Sequence, residues 1–179
     1  MKIAALDLSL TSTGAARWED GDVETHHFGA PGKRTDSLAE RDERLETARW
    51  EAVSWCCHNY DPDLVLVEGH TFAAKGGSQH DRSGLWWLVV HSLIHDHNTP
   101  VVEVSPSQVK QYVTGRGNAP KDAVLMNAVR RFPDIEFETN DEADALGMLA
   151  MGVRHLRQTP FDTSPTVAML KAMEKIRWA

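Results

Sequence analysis

Four carboxylates occupy positions from which a folded chain could bring them together. Asp7 and Glu68 each end a short apolar run, and Asp141 and Asp144 are three residues apart near the start of a later amphipathic segment. Residues three apart lie on one face of a helix. Crowded carboxylates repel one another, and Mg²⁺ is a hard cation that prefers oxygen ligands. Two such ions roughly 3.5 to 4 Å apart would suit phosphodiester hydrolysis.

Each of these acidic residues also has a simpler interpretation when it is taken singly. An aspartate in the first turn of a helix stabilises the helix dipole whatever the protein does. The arrangement of all four residues is what favours a site, because Asp7 and Glu68 both fall at predicted strand ends. In open α/β sheets such ends face the ligand crevice, so neighbouring strands would make the two carboxylates converge.

The elements that position these residues follow from hydrophobic patterning and turn signals. An Asp-Gly pair favours a hairpin between the second and third strands, and Ser37 with Glu40 offers a capping box for the first helix. Strands are predicted over residues 2–8, 14–18, 22–28, 63–68 and 101–104. Helices are predicted from Ser37, over 82–97, from Ser105, over 120–131, and from Thr139 or Asn140 to about Arg157. This order predicts an α/β fold with a five-stranded mixed sheet and helices on its faces.

Composition narrows the class of protein. The chain has 179 residues, of which 41% are hydrophobic and 25% charged, so one folded domain is expected and disordered or collagen-like classes are excluded. No apolar run approaches the roughly 18 residues of a membrane span. The adjacent Cys56 and Cys57 indicate neither a disulfide framework nor a metal motif. We therefore expect a cytoplasmic protein that does not contact membranes.

The charge distribution is more informative than the net charge of −7, which argues against a simple nucleic-acid coat. Residues 108–131 hold five basic side chains and one acidic side chain, whereas residues 132–147 hold six acidic side chains and no basic one. A basic surface beside an acidic site suits a metal-dependent enzyme that acts on a polyanion, although solvated charge runs are a common alternative.

A series of motifs covers about residues 1–157. The motifs are Asp7-Leu8-Ser9-Leu10-Thr11-Ser12-Thr13-Gly14, the strand-end Glu68, Phe72-Ala73-Ala74-Lys75, Ser105-Pro106-Ser107-Gln108-Val109-Lys110, Thr114-Gly115-Arg116-Gly117, Lys121, and Asp141-Glu142-Ala143-Asp144-Ala145-Leu146. In order and spacing the chain resembles the RuvC-like Holliday-junction resolvases of the ribonuclease H-like superfamily. The resemblance also suggests a bacteriophage-encoded member, which would act in the cytoplasm of its bacterial host.

The resemblance implies a ribonuclease H-like fold, in which strands 1–3 are antiparallel and the later strands parallel. It implies a structure-selective endonuclease that resolves four-way DNA junctions with two Mg²⁺ ions per active site, or Mn²⁺ in their place. The implied metal ligands are Asp7, Glu68, Asp141 and Asp144. Lys110 and Lys121 are implied to act in catalysis near the scissile phosphate.

The resemblance also implies contacts with DNA. The implied DNA-binding residues are Phe72, Lys75, Lys110, Arg116 and Lys121. Phe72 would stack on bases at the junction centre, although one residue is inserted between Glu68 and Phe72. A local hydrophobic anchor is the alternative for Phe72, and a solvated loop residue is the alternative for Arg116.

A homodimer is implied as well, with a seam along the 82–97 helix. The seam residues would be Leu85, Trp86, Val89 and Leu93. A helix buried inside a single chain explains the same apolar pattern. His91 and His95 are also four apart in this helix, but they have no Cys or acidic partner for a zinc site and are interpreted as structural.

Residues 158–179 extend past the resemblance and are predicted to form a C-terminal helical appendage beside a nuclease domain of residues 1–157. Three other functions remain as alternatives. The first is a broader nuclease that cuts flaps, forks and replication intermediates, and the second is a non-catalytic junction-binding scaffold. The third is an actin-like ATPase fragment, which the chain length disfavours because two such domains normally clamp the nucleotide.

Overall fold

The computed structural model describes residues 1–70 and 79–179, so the predicted DNA contacts Phe72 and Lys75 lie outside the described residues. The strands are β1 (Lys2–Asp7), β2 (Thr13–Glu19), β3 (Asp22–Phe28), β4 (Leu64–Glu68) and β5 (Val101–Val104). They form one sheet in the order β3-β2-β1-β4-β5. β1, β2 and β3 are antiparallel neighbours, and the pairs β1–β4 and β4–β5 are parallel. The predicted five-stranded mixed sheet is confirmed.

Side-chain hydrogen bonds fix where the main helices begin. The helices are α1 (Leu38–Cys57), α2 (Gln79–His91), α3 (Pro106–Thr114), α4 (Lys121–Arg131), α5 (Asn140–His155) and α6 (Val167–Leu170). A π-helical turn (Ser92–Asp96) continues α2, and a 3-10 turn (Met173–Lys175) follows α6. Capping boxes at Ser37, Ser105 and Thr139 start α1, α3 and α5. Among the described residues, none of the helices combines the length and the apolar character needed to cross a membrane.

The sheet buries both of its faces. Along β1, Ile3 and Ala5 point into one apolar core and Ala4 and Leu6 into another, as the two-residue period of a strand requires. The first core lies under α3, α4, α5 and the C-terminal segment, and the second lies under α1 and α2. A sheet covered by helices on both faces leaves its strand ends as the places where polar side chains can gather.

A glycine lets α5 approach the sheet closely. Gly14 on β2 is paired with Asp7 on β1, and a Cβ atom at Gly14 would lie 2.1 Å from the carbonyl carbon of Asp141. Real Cβ atoms do not approach a backbone so closely, so any other residue would push the first turn of α5 outward. Gly14 therefore sets Asp141 beside the end of β1.

The C-terminal segment is tied to three helices by one buried carboxylate. Asp162, whose side chain is fully buried, accepts hydrogen bonds from Arg131 of α4 at 2.8 Å and from Arg154 of α5 at 2.6 Å. The hydroxyl of Tyr112 on α3 also donates to Asp162, at 2.9 Å. Ile176 of the same segment is buried in the core. Asp162 therefore links the C-terminal segment to α3, α4 and α5.

The residues predicted for a subunit seam on α2 do not form an exposed face. Leu85, Val89 and Leu93 are buried within this chain, in the core under α1 and α2. The Trp86 indole donates a hydrogen bond to the carbonyl oxygen of Glu68 at 2.9 Å. The seam prediction is corrected for Leu85, Val89 and Leu93, because side chains already covered by their own chain cannot meet a second copy. Trp86 is half-buried, and its place in a seam stays a prediction.

The apolar face that α2 and its π-helical turn expose is a different one. It carries Trp87, Leu88 and Ile94, with 65%, 39% and 42% of their surface exposed. The segment is apolar around most of its circumference, so its periodicity cannot tell which face the chain itself covers.

Candidate active site

Two of the four carboxylates meet at the ends of neighbouring strands. β1 and β4 are parallel, with Leu6 opposite Val67, so Asp7 and Glu68 follow side by side at the same edge of the sheet. Their carboxyl groups lie within hydrogen-bonding reach of each other. The structure thus brings together the two strand-end residues that the sequence placed at one edge.

The other two carboxylates come from the N-terminal part of α5, whose start is held by Glu142 and Thr139. The Glu142 carboxylate accepts from the backbone N–H groups of Glu138 and Thr139, both at 2.8 Å, and the Glu142 N–H donates to Thr139 Oγ1 at 3.1 Å. This turn directs Asp141 and Asp144 toward the strand ends. The pattern Thr139-x-x-Glu142 is a readable capping signal, although only the cap at Thr139 or Asn140 was expected.

All four carboxylates line one cavity of about 320 Å³. Lys110 of α3 and Lys121 of α4 line the same cavity, so the structure also places both predicted lysines there. We refer to it as the acidic cavity. Its lining consists of Asp7, Leu8, Ser9, Glu68, Gly69, His70, Arg82, Trp86, Pro106, Lys110, Lys121, Asp141 and Asp144.

Burial and the repulsion of neighbouring negative charges raise the pKa values of three of these carboxyl groups, those of Asp7, Glu68 and Asp144. Burial is the main cause that raises the pKa of Asp144 to about 7, and the negative charges of Asp7 and Asp141 add to it. Burial also raises the pKa values of Asp7 and Glu68, and their proximity means that the pair shares a proton at neutral pH. Without a cation, the cavity therefore keeps part of its negative charge neutralised by protons.

The two lysines partly oppose the rise in the carboxyl pKa values. The positive charge of Lys110 lowers the pKa values of Glu68 and Asp144, and that of Lys121 lowers those of Asp7 and Asp144. Lys121 is exposed, so water screens much of its charge. The two lysines therefore do not balance the negative charge of the four carboxylates in the cavity.

The donor set fits divalent cations. Asp144 Oδ1 is buried and has no hydrogen-bond partner, as expected of an oxygen whose natural partner is a metal ion. The carboxylate oxygens available from Asp7, Glu68, Asp141 and Asp144 are of the type that Mg²⁺ prefers. Within residues 1–70 and 79–179, no three His, Cys, Asp or Glu side chains already surround one point.

Sequence reasoning missed three polar residues of the acidic cavity, Ser9, His70 and Arg82. Ser9 belongs to the motif that begins at Asp7, which was a usable signal. No local pattern marks Arg82, which the chain brings to the cavity through the start of α2. His70 Nε2 is buried without a hydrogen-bond partner in the described structure.

Arg116 lies outside the acidic cavity. It is exposed in the turn between α3 and α4, where its backbone N–H donates to Thr114 Oγ1 at 3.1 Å. Gly115 before it adopts a φ of 82°, the left-handed conformation that suits a glycine at a helix end. The side chain of Arg116 is therefore presented to solvent beside the helix that carries Lys110.

Comparison with known proteins identifies the family. Residues 5–155 match the family model described as crossover junction endodeoxyribonuclease RuvC. The RuvC protein of Brucella anthropi is 27% identical over 155 residues, which are 87% of this chain and 89% of the relative. The RuvC protein of Pelobacter propionicus is 27% identical over 158 residues, 87% of this chain and 86% of the relative.

Solved structures show the same fold. Thermus thermophilus RuvC aligns with a TM-score of 0.62 and 20% identity, over 93% of this chain and 100% of that one. The same protein in complex with a Holliday junction substrate gives a TM-score of 0.64 with 18% identity, over 93% and 99% of the two chains. Because the family model spans most of its length, the chain belongs to the RuvC family of crossover junction endodeoxyribonucleases.

Proposed function

We propose that this chain resolves four-way DNA junctions by symmetric phosphodiester hydrolysis, using two Mg²⁺ ions per active site, with Mn²⁺ as a workable substitute. The observation that carries the proposal is the acidic cavity, in which four carboxylates and two lysines from five separate elements line one space. Family membership supports the same chemistry, because crossover junction endodeoxyribonucleases are divalent-metal nucleases.

In this proposal the carboxylates hold the cations and the lysines hold the DNA. Asp7, Glu68, Asp141 and Asp144 supply the oxygen ligands. When bound, the two ions supply an activated water and charge stabilisation for the leaving oxygen. Lys110 and Lys121, which reach the cavity from α3 and α4, bind the scissile phosphate and stabilise the negative charge that develops on it.

Resolution of a junction requires two cuts at symmetric positions, so we propose that the active unit is a homodimer. The surface available for pairing is the exposed apolar face of α2 and its π-helical turn, with Trp87, Leu88 and Ile94. Single exposed apolar residues are normal on a surface, but three large ones along one helix and its π-helical turn suit an interface. Phe72 and Lys75 remain proposed DNA contacts.

The function is tested by cleavage of matched DNA substrates. The purified protein is incubated with a mobile four-way junction, a 5′ flap, a splayed arm or a linear duplex, in Mg²⁺, Mn²⁺ or EDTA. We expect paired nicks in the four-way junction that ligase reseals, only with a divalent ion present. Each nick is mapped on both labelled strands, so that symmetric and independent cuts are distinguished.

Two outcomes would change the account. Equal or faster cutting of flaps and splayed arms would keep the chemistry but make the protein a broader branched-DNA nuclease. Tight binding of the junction without cutting under any ion would leave a junction-binding scaffold and contradict the catalytic role of the acidic cavity.

A further inference from the structure

A second cavity, of about 570 Å³, lies beside the acidic cavity and has the opposite charge. Five basic and two acidic side chains face it, so its surface carries a positive excess. We refer to it as the basic cavity. Its lining consists of Leu10, Thr11, Gly32, Lys33, Arg34, Asp36, Arg41, Arg44, Asp81 and Arg82.

Two of its arginines are held in place by carboxylates. Arg41 pairs with Asp81 through two hydrogen bonds, and Arg44 contacts Asp36 at 3.3 Å and Asp81 at 3.5 Å. Arg44 also lies where any side chain at Gly32 would have to go, since a Cβ atom there would be 0.9 Å from Arg44 Nη1. The wall of the basic cavity is thus built around fixed guanidinium groups, and Arg44 Nε is buried without a partner.

The other three cations are not neutralised in this way. Lys33, Arg34 and Arg82 form no ion pair within the described parts of the chain. Lys33 and Arg34 are exposed in the loop before α1, and Arg82 is exposed near the start of α2. Positive side chains without an internal partner, set around a cavity, suit the binding of an anion of several charges.

Two segments of the chain contribute residues to both cavities. Asp7, Leu8 and Ser9 line the acidic cavity, and the next residues, Leu10 and Thr11, line the basic cavity. Arg82 lines both. A polyanion bound at the acidic cavity therefore lies next to the basic cavity, with Arg82 at the boundary between the two.

We propose that the basic cavity binds backbone phosphates of the DNA strand on one side of the scissile phosphate. This inference rests on the proposed function, because it assigns a second contact to the same substrate. Arg82 guides the strand from one cavity to the next, and Lys33 and Arg34 contact its phosphates. Such contacts position the strand and release counterions without reading base sequence.

The test is the salt dependence of junction binding by a Lys33→Glu/Arg34→Glu double variant. These side chains are exposed and unpaired, so their replacement leaves the ion pairs of Arg41 and Arg44 intact. At fixed salt we expect Kd for the four-way junction to rise about tenfold, and the slope of log K against log salt to fall by about 2, in line with two lost phosphate contacts.

Lys175→Glu is the matched control, since Lys175 is exposed on the C-terminal segment and lines neither cavity. A Lys33→Gln/Arg34→Gln variant repeats the measurement without charge reversal if the first variant fails to fold. An unchanged salt slope, or one equal to that of Lys175→Glu, would overturn the inference while leaving the proposed function intact. A wild-type protein that neither binds nor cuts branched DNA would overturn both.

Free inorganic phosphate is the competing occupant. The unfolding temperature is measured with and without phosphate at constant ionic strength, for the wild type and the double variant. If phosphate raised the unfolding temperature of the wild type only, and both proteins bound the junction equally well, the basic cavity would bind a small anion. This result would contradict the proposal.

Discussion

Buried carboxylates occur in two regions of this molecule, and the charges around them are opposite in sign. Asp162 in the C-terminal segment is fully buried between the guanidinium groups of Arg131 and Arg154, both within 2.8 Å. The carboxylates of the acidic cavity are crowded against each other, and burial raises the pKa of Asp144 to about 7. The chain thus neutralises one buried carboxylate by its own ion pairs and leaves a cluster of others without enough positive charge.

This difference separates a carboxylate that stabilises the fold from the carboxylates that we propose as metal ligands. Removing one partner of a buried ion pair leaves an uncompensated charge and costs folding free energy. Removing one of several crowded carboxylates relieves repulsion and desolvation instead. Protons, or cations from solution, supply the charge that the cluster lacks, and this requirement supports the proposed metal site.

The largest expected effect is on catalysis. Asp7→Asn or Asp144→Asn removes a proposed metal ligand and is expected to slow junction cutting by roughly 10³-fold or more, with junction binding retained. The measurement is single-turnover cleavage together with a gel-shift assay. Asp134→Asn is the control, because Asp134 is exposed and lies outside the acidic cavity. Cutting by both variants at the wild-type rate would contradict the assignment.

A large effect on stability is expected at the other region. Asp162→Asn leaves Arg131 and Arg154 without their shared counter-charge and is expected to lower the free energy of unfolding by about 3 kcal/mol. Urea denaturation followed by circular dichroism measures the change. If the loss were under about 1 kcal/mol, the ion pairs would not be the main attachment of the C-terminal segment.

The same type of substitution in the acidic cavity is expected to have the opposite sign. In metal-free protein at pH 8, Asp144→Asn removes a carboxylate that folding strips of water, so we expect the free energy of unfolding to rise on the order of 2 kcal/mol. The measurement is urea denaturation in EDTA. If Asp144→Asn lowered the free energy of unfolding, the Asp144 carboxylate would stabilise the fold as that of Asp162 does. The proposed difference between the two regions would then be contradicted.

The difference in stability between the wild type and Asp144→Asn is also expected to depend on pH, which is a smaller effect. The pKa of Asp144 is raised from 3.8 to about 7, so between these values the folded protein binds more protons than the unfolded chain. The stability of the wild type relative to Asp144→Asn is therefore greatest near pH 4 and falls as the pH rises to 7. Thermal unfolding of both proteins in EDTA from pH 4 to 8 checks this, and a gap independent of pH would contradict it.

Local signals in the sequence were enough to find the acidic cavity. Asp7 and Glu68 end apolar runs, and parallel neighbouring strands must bring such ends to one edge. Ser37 marked the start of α1, and the cap at Thr139 placed Asp141 and Asp144 in one turn of α5. Each of these inferences needs only the spacing of apolar residues or a helix-capping residue, and both can be found within a short segment.

Contacts that depend on packing between distant segments were not predictable. Asp162 lies in a polar stretch, and its partner Arg131 is 31 residues away, so no local pattern joins them. The same limit explains the incorrect seam on α2, because an apolar pattern does not show whether Leu85 or Leu88 faces the core. Arg82 was missed for this reason too, since only the folded chain brings the start of α2 between the two cavities.

The most direct test of the central claim is calorimetric titration of Mg²⁺ into the metal-free protein at pH 7, in buffers of different ionisation enthalpy. We expect saturable binding with release of about one proton per chain, because the cations replace protons held by the crowded carboxylates. Asp162→Asn should release the same number of protons and Asp144→Asn fewer. Binding without proton release, or no saturable binding, would contradict the claim that the acidic cavity takes its missing positive charge from solution.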